Sequence, residues 1–206
     1  VKWFGKKGVG PLQALRALRA LRKGVEEDAT DLCNADRAIR NLAHTLSIDE
    51  KTARQMAMDL TLHVFEGLSH CFYPIPGAYQ LVEGLKDEFD LILATNPVWP
   101  REVVEIRLKW AGVPATWFRF ISSNETMHSC KPSLNYYREL IERQNLDPAH
   151  SLMIGDSKKK DLPARDTGMS VFLLSNSKDL KKMEERVWTG NFPSLIRLIR
   201  RPSETS

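Results

Sequence analysis

Two textures of apolar and polar positions divide the chain near residue 74. Before that point apolar residues recur at helical spacing, and residues 1–74 read as all helix. Pro11 opens a run, PLQALRALRALRKG, that Gly24 closes. A second helix is expected from Thr30 or Asp31 to about Leu46. Ser47-Ile48-Asp49-Glu50 has the capping-box pattern, in which the serine bonds forward and the glutamate bonds back, so a third helix is expected from there toward Gly67. Leu12, Leu15, Leu18 and Leu21 stand three apart, so they drift around a 3.6-residue helix instead of forming one stripe.

From Pro74-Ile75-Pro76-Gly77 onward, helical patterns alternate with short apolar runs. LILAT (91–95), FRFIS (118–122), SLMIG (151–155) and SVFLL (170–174) read as buried strands. Helix faces lie between them at Ala78, Leu81, Val82 and Leu85, at Val104, Leu108 and Ala111, and at Leu134, Tyr137 and Ile141. The alternation predicts an α/β fold with a Rossmann-like parallel sheet layered between helices. The expected domains are a helical segment 1–74, an α/β core 75–200 and a tail 201–206.

Composition changes this picture little, but charge sharpens it. Of 206 residues, 42% are hydrophobic and 27% charged, which is globular and excludes extensive disorder. No run of 18 apolar residues exists, so no membrane span is expected. The net charge is +4, yet residues 1–24 carry seven basic side chains and no acid. The remainder is therefore mildly acidic, and the basic pI is no argument for a nucleic-acid partner. Three scattered cysteines, an odd number, suggest a reducing cytoplasm rather than a disulfide frame.

In a parallel sheet the ligand sits at the carboxyl ends of the strands. There the sequence places Thr95-Asn96 after LILAT, Lys131-Pro132 after the second strand, and Gly155-Asp156-Ser157 after the third, with Asp161 five residues beyond Asp156. A hydroxyl and backbone N–H groups donate to phosphate oxygens, a lysine neutralises charge, and carboxylates suit a hard cation. In that order and spacing the three segments resemble the second, third and fourth motifs of the haloacid dehalogenase superfamily, and the helical first part resembles that family's cap. The resemblance covers roughly residues 74–200. It implies a magnesium-dependent phosphatase-type hydrolase acting on a small phosphorylated substrate. It also implies roles: Thr95 and Asn96 hold phosphoryl oxygens, Lys131 steadies the nucleophile and the transferring group, and Asp156 and Asp161 form the metal site, Asp161 alternatively orienting Lys131. Gly155 would leave space beside the site.

The family's first motif, Asp-x-Asp-x-Thr after a strand, supplies an aspartate nucleophile and a general acid–base. No such pattern occurs: Asp28-Ala29-Thr30-Asp31 has the wrong spacing, and Asp87-Glu88-Phe89-Asp90 precedes a strand. The first, central strand of the sheet is likewise expected to be missing, and VKWF (1–4) is too short to replace it. An N-terminally truncated, inactive chain is the expectation, and a non-catalytic binding protein using the pocket or the basic N-terminal arm is the alternative. His63, His70 and Cys71 lack a fourth ligand at zinc spacing and are read as ordinary helix residues.

Overall fold

The computed structural model describes residues 2–29 and 31–200; the tail expected at 201–206 and a helix start at Thr30 lie outside them. The chain folds into two compact units, one of residues 1–75 with Asp90–Cys130, the other of Pro76–Phe89 with Lys131 onward.

In the first unit, α1 (Lys2–Lys6) leads through a glycine-rich turn into α2 (Pro11–Glu26), followed by α3 (Asn34–Leu46) and α4 (Glu50–Glu66). Lys2–Phe4 of VKWF are thus helix, and Phe4 is fully buried among Ala14, Ala17, Ile39, Leu42 and Ala53. As the three-residue spacing predicts, the leucines of α2 do not form its buried face. Ala14, Ala17, Gly24 and Val25 do, while Leu12 stays 64% exposed. Small residues there let α2 approach α3 backbone to backbone.

One cap differs from expectation. Ser47 ends α3 in the left-handed conformation, at φ 56°, and does not start α4. Asp49 is the N-cap instead, accepting from Thr52 N–H at 2.9 Å and Thr52 Oγ1 at 2.6 Å. The aspartate thus satisfies the Thr52 N–H, two residues further on than the Glu50 N–H that a serine cap would serve. Helix α3 also begins later than expected, with Cys33 as its N-cap.

The rest of this unit is a βαβ turn. Strand β1 (Ile92–Leu93) runs parallel to β2 (Phe120–Ile121), with α6 (Arg101–Trp110) between them; α5 (Ala78–Leu85) belongs to the second unit. Both strands are shorter than the apolar runs suggest. Ala94 and Thr95 donate their N–H groups two residues back, to Ile92 at 3.2 Å and Leu93 at 3.0 Å, which turns the chain out of the sheet. An aromatic group of Phe65, Phe72, Trp99 and Trp110 seals the end of α4, with Phe65 edge-on to Trp99 at 4.9 Å.

The second unit carries a four-stranded sheet of order β3-β4-β6-β5, where β3 is Leu152–Gly155, β4 Ser170–Leu174, β5 Lys181–Glu184 and β6 Val187–Gly190. β3, β4 and β6 are parallel, as the alternation predicts, and β5 adds an antiparallel edge. The β5–β6 hairpin was not visible in the sequence. Helices α7 (Leu134–Gln144), α8 (Lys158–Asp161) and α9 (Phe192–Ile199) complete the unit. The buried face of α7 is Tyr136, Tyr137 and Leu140, one step round from the Leu134–Tyr137–Ile141 face read from the sequence. Among the described residues, β1 pairs only with β2, and β3 pairs on one side only, with β4.

Gly24 and Gly155 are among the glycines fixed by close approach. A Cβ on Gly24 would lie 2.6 Å from the Ala38 backbone, and one on Gly155 would lie 2.2 Å from Asp161 Oδ2. Overpacking at such contacts costs about 1–3 kcal/mol. We therefore expect Gly24→Ala to lower the melting temperature by several degrees; an unchanged thermal melt would show that the α2–α3 contact yields freely. For Gly155→Ala we expect a similar loss of stability together with displacement of Asp161, visible as altered side-chain signals of the Lys131–Asp161 pair by NMR.

Candidate functional site

The end of β3 and the start of α7 build a connected polar arrangement in the second unit. β3 ends at Gly155, and the chain passes Asp156 and Ser157 into the short α8, whose last residue is Asp161. Ser157 caps that turn, accepting from Lys160 N–H at 3.2 Å. The turn brings the Asp161 side chain back over Gly155, where only a glycine leaves room.

Lys131 stands just before α7, its peptide bond to Pro132 being cis. Its Nζ donates to Asp161 Oδ1 at 2.8 Å, and both side chains are almost wholly buried. The second oxygen, Asp161 Oδ2, accepts the Ser157 N–H at 3.0 Å. Both carboxylate oxygens of Asp161 are thus engaged by the protein. The lysine ammonium also lies over two tyrosine rings, 5.5 Å from the centroid of Tyr136 and 5.9 Å from that of Tyr137. Ring faces attract a cation and soften the cost of burying it.

Burial pushes the Lys131 ammonium below the ordinary lysine range, and the hydrogen bond and charge of Asp161 oppose that push. The Tyr137 phenol is pushed up, by burial first and by the Asp161 charge second, so it remains a neutral donor to the Lys160 carbonyl. Sequence reasoning placed Tyr137 on a helix face and gave neither tyrosine a part in the site. The only signal was two adjacent aromatics beginning five residues after Lys131.

Asp156 is in a different state. It is exposed, and its carboxylate makes no hydrogen bond or ion pair among the described residues, although its charge is near enough to favour protonated Lys131. Magnesium usually takes one or two carboxylates and fills its other positions with water and substrate oxygens. Asp156 fits such a partial site. Asp161, with both oxygens engaged, has the geometry of the alternative given above, orienting Lys131. No group of three His, Cys, Asp or Glu side chains suited to a metal occurs among the described residues.

Thr95 and Asn96 lie in the first unit, just past β1. The Thr95 hydroxyl donates to the Ser122 carbonyl at 2.9 Å, and the fully buried Ser122 hydroxyl donates back to the Thr95 carbonyl at 2.9 Å. This reciprocal pair fixes the ends of β1 and β2 side by side. Nearby, buried Asn34 donates from Nδ2 to the Pro97 carbonyl at 3.1 Å, and Trp99 and Pro100 line a cavity of this unit. The structure thus brings Lys131, Asp161 and the Gly155–Asp156 turn together in one unit, and places Thr95 and Asn96 in the other.

A family model described as haloacid dehalogenase-like hydrolase matches residues 32–174. Among solved structures, the chain is similar to 2-haloacid dehalogenase from Pseudomonas syringae pv. Tomato DC3000, with a TM-score of 0.61 and 18% identity over 96% of this chain and 86% of that one. It is similar to HAD phosphatase from Thermococcus onnurineus, with a TM-score of 0.55 and 18% identity over 81% of this chain and 88% of that one. It is also similar to the HAD-hydrolase YfnB from Bacillus subtilis bound to magnesium, with a TM-score of 0.55 and 19% identity over 92% and 82% of the two chains. At these identities the structural likeness concerns the fold. No curated protein matches the chain significantly. The family match covers more than half of the sequence, from just before α3 to the end of β4, and includes Thr95, Lys131, Asp156 and Asp161, so the chain belongs to the haloacid dehalogenase-like hydrolases.

Proposed function

We propose that this chain carries the phosphate-handling part of a magnesium-dependent phosphate monoester hydrolase that acts on a small phosphorylated metabolite through an aspartyl-phosphate. The observation that supports this reading best is the buried Lys131–Asp161 pair at 2.8 Å beside the open carboxylate of Asp156. Asp161 holds the ammonium of Lys131 charged and in place despite its burial. Lys131 then presents a fixed positive charge to the transferring phosphoryl group, which is how phosphoryl transfer is mainly accelerated. Thr95 and the Asn96 N–H bind the phosphoryl oxygens. Asp156 would hold the magnesium, which when bound neutralises phosphate charge and polarises its oxygens. The helical segment 1–74 serves as the cap that closes over the substrate and excludes water. Three cysteines that form no disulfide among the described residues accord with a cytoplasmic setting.

In the family's first motif the aspartyl-phosphate forms on an aspartate with a second aspartate, the general acid–base, two residues on, and the 206 residues hold no such pair. The same observation favours a second reading, a binding protein of this fold that recognises phosphate without turning it over. Both readings expect residues 1–206 alone to show no magnesium-dependent turnover of p-nitrophenyl phosphate. Clear turnover would mean that one of this chain's own aspartates serves as nucleophile. Binding separates the site from its surroundings. In isothermal titration with inorganic phosphate and magnesium, Asp156→Asn is expected to abolish the gain in phosphate affinity that magnesium gives, by at least ten-fold. Equal magnesium dependence in the variant and the parent would remove Asp156 from the metal site. Asp161→Asn is expected to cost about 3–5 kcal/mol in denaturant unfolding, because it leaves Lys131 buried without its counter-charge. A loss below 1 kcal/mol would show that the pair is not what holds Lys131.

A further inference from the structure

The repeated Ala-Leu-Arg triplet of α2 divides its residues between two faces of the helix. The alanines turn inward: Ala14 and Ala17 are fully buried in one cluster with Ile39, Leu42 and Ala43 of α3. The leucines and arginines turn outward. Leu12, Leu15 and Leu18 are 64%, 39% and 37% exposed, and Arg16, Arg19 and Arg22 are exposed as well. Residues four apart are neighbours on a helix surface. Leu12 therefore adjoins Arg16, Leu15 adjoins Arg19 and Leu18 adjoins Arg22, so a leucine row and an arginine row run side by side. Single exposed leucines are ordinary, but a contiguous row of them marks a surface that something covers.

Charge decides what that is. Residues 1–24 hold seven basic side chains and no acid. Among the described residues the arginine row has one acidic partner, Glu26, 3.0 Å from Arg22, and that pair is exposed and contributes little. A second copy of the face would bring like charges together. A nucleic acid would satisfy the arginines through its phosphates and leave the leucines in water. An anionic bilayer satisfies both rows: lipid phosphates meet the guanidinium groups, and the leucines enter the boundary between headgroups and acyl chains. The arginine stems lie along the apolar row while their charged ends stay at headgroup level. Helix α2 is already formed and held by its inner face, so docking does not carry the cost of folding it, as it does for an isolated amphipathic peptide.

We propose that the outer face of α2 is a docking surface for an anionic phospholipid bilayer, with Leu12, Leu15 and Leu18 inserted at the interface and Arg16, Arg19 and Arg22 on the lipid phosphates. The surface shares no residue with the Lys131–Asp161 site, so the proposal does not depend on the chemistry proposed above.

The test is co-sedimentation of the full chain with vesicles of phosphatidylcholine and phosphatidylglycerol in equal parts. Binding should be saturable, absent with phosphatidylcholine alone, and much weaker at about 1 M salt, where the screening length falls to about 3 Å. Arg16→Gln with Arg19→Gln should weaken it roughly twenty-five-fold, about five-fold for each basic side chain near the surface. Arg16→Lys with Arg19→Lys keeps the charge and should bind as the parent does. Leu12→Ser with Leu15→Ser should weaken binding roughly ten-fold or more, through the apolar area withdrawn from the interface, while leaving the arginines in place. These positions are exposed, so circular dichroism melts should match the parent, and the lysine and glutamine variants keep the test decisive should the serine variant not fold. Equal binding to neutral vesicles, or full binding by the serine or glutamine variant, would overturn the proposal. Binding to poly(U) RNA that the serine variant retains, with no vesicle binding, would give the face to a nucleic acid instead. A dimer that the serine variant loses, again with no vesicle binding, would give it to a second copy of the chain.

Discussion

The guanidinium of Arg37 is the constraint on which the first unit depends. It is buried on α3 and donates to the carbonyls of Gly24, Glu27, Ala29, Leu32 and His128 and to Asn34 Oδ1. Its partners are main-chain oxygens and one amide, so its charge is spread over dipoles instead of being matched by a carboxylate. Three of those carbonyls, of Glu27, Ala29 and Leu32, lie on the connection from α2 to α3, a stretch with little regular structure to satisfy its own groups, and a fourth, of Gly24, lies in the last turn of α2. The fifth belongs to the segment after β2. One side chain thus closes a loop and joins the helical part of the unit to its βαβ part. Asn34 extends the same network to Pro97, two residues beyond Thr95-Asn96. The placement of the strand-end residues therefore rests on a cation that touches none of them.

What the sequence made legible follows from how local each signal is. The apolar runs at 151–155 and 170–174 became β3 and β4 nearly residue for residue, because burial on both faces leaves a continuous apolar mark. The first two runs contracted to two residues each, since backbone turns after Leu93 end the pairing and no side-chain pattern records them. Ser47 and Asp49 are both good caps, and the choice between them depended on the left-handed end of α3. β5 and β6 escaped notice because KKMEERVW is short and charged, and β6 finds its place only beside β4, far back in the chain. At the site, Lys131, Asp156 and Asp161 were legible as a spaced motif. The Lys131–Asp161 bond, the ring faces of Tyr136 and Tyr137 and the engagement of Thr95 by Ser122 are long-range contacts with no sequence signature.

The two carboxylates after β3 show how burial divides labour between like residues. Asp161 is enclosed, doubly bonded and committed to Lys131. Asp156, five residues earlier, faces water with its valences open. The ordering cost of the lysine and its partner is met when the protein folds, so an incoming anion meets a charge already in position. The open carboxylate keeps the freedom to adapt to whatever cation accompanies that anion. Gly155 makes the division possible, because any side chain there would occupy the volume of Asp161.

The hairpin that the sequence concealed has a consequence of its own. β5 is exposed along Lys181, Lys182, Met183 and Glu184 and is bulged between Lys182 and Glu184. An outer strand with free backbone groups invites strands from other molecules to continue the sheet, and lysines and bulges discourage that addition. β5 contributes no side chain to the buried core. It works as a border, trading packing for resistance to self-association, so this rim helps set how crowded a solution the folded chain tolerates before sheets begin to join.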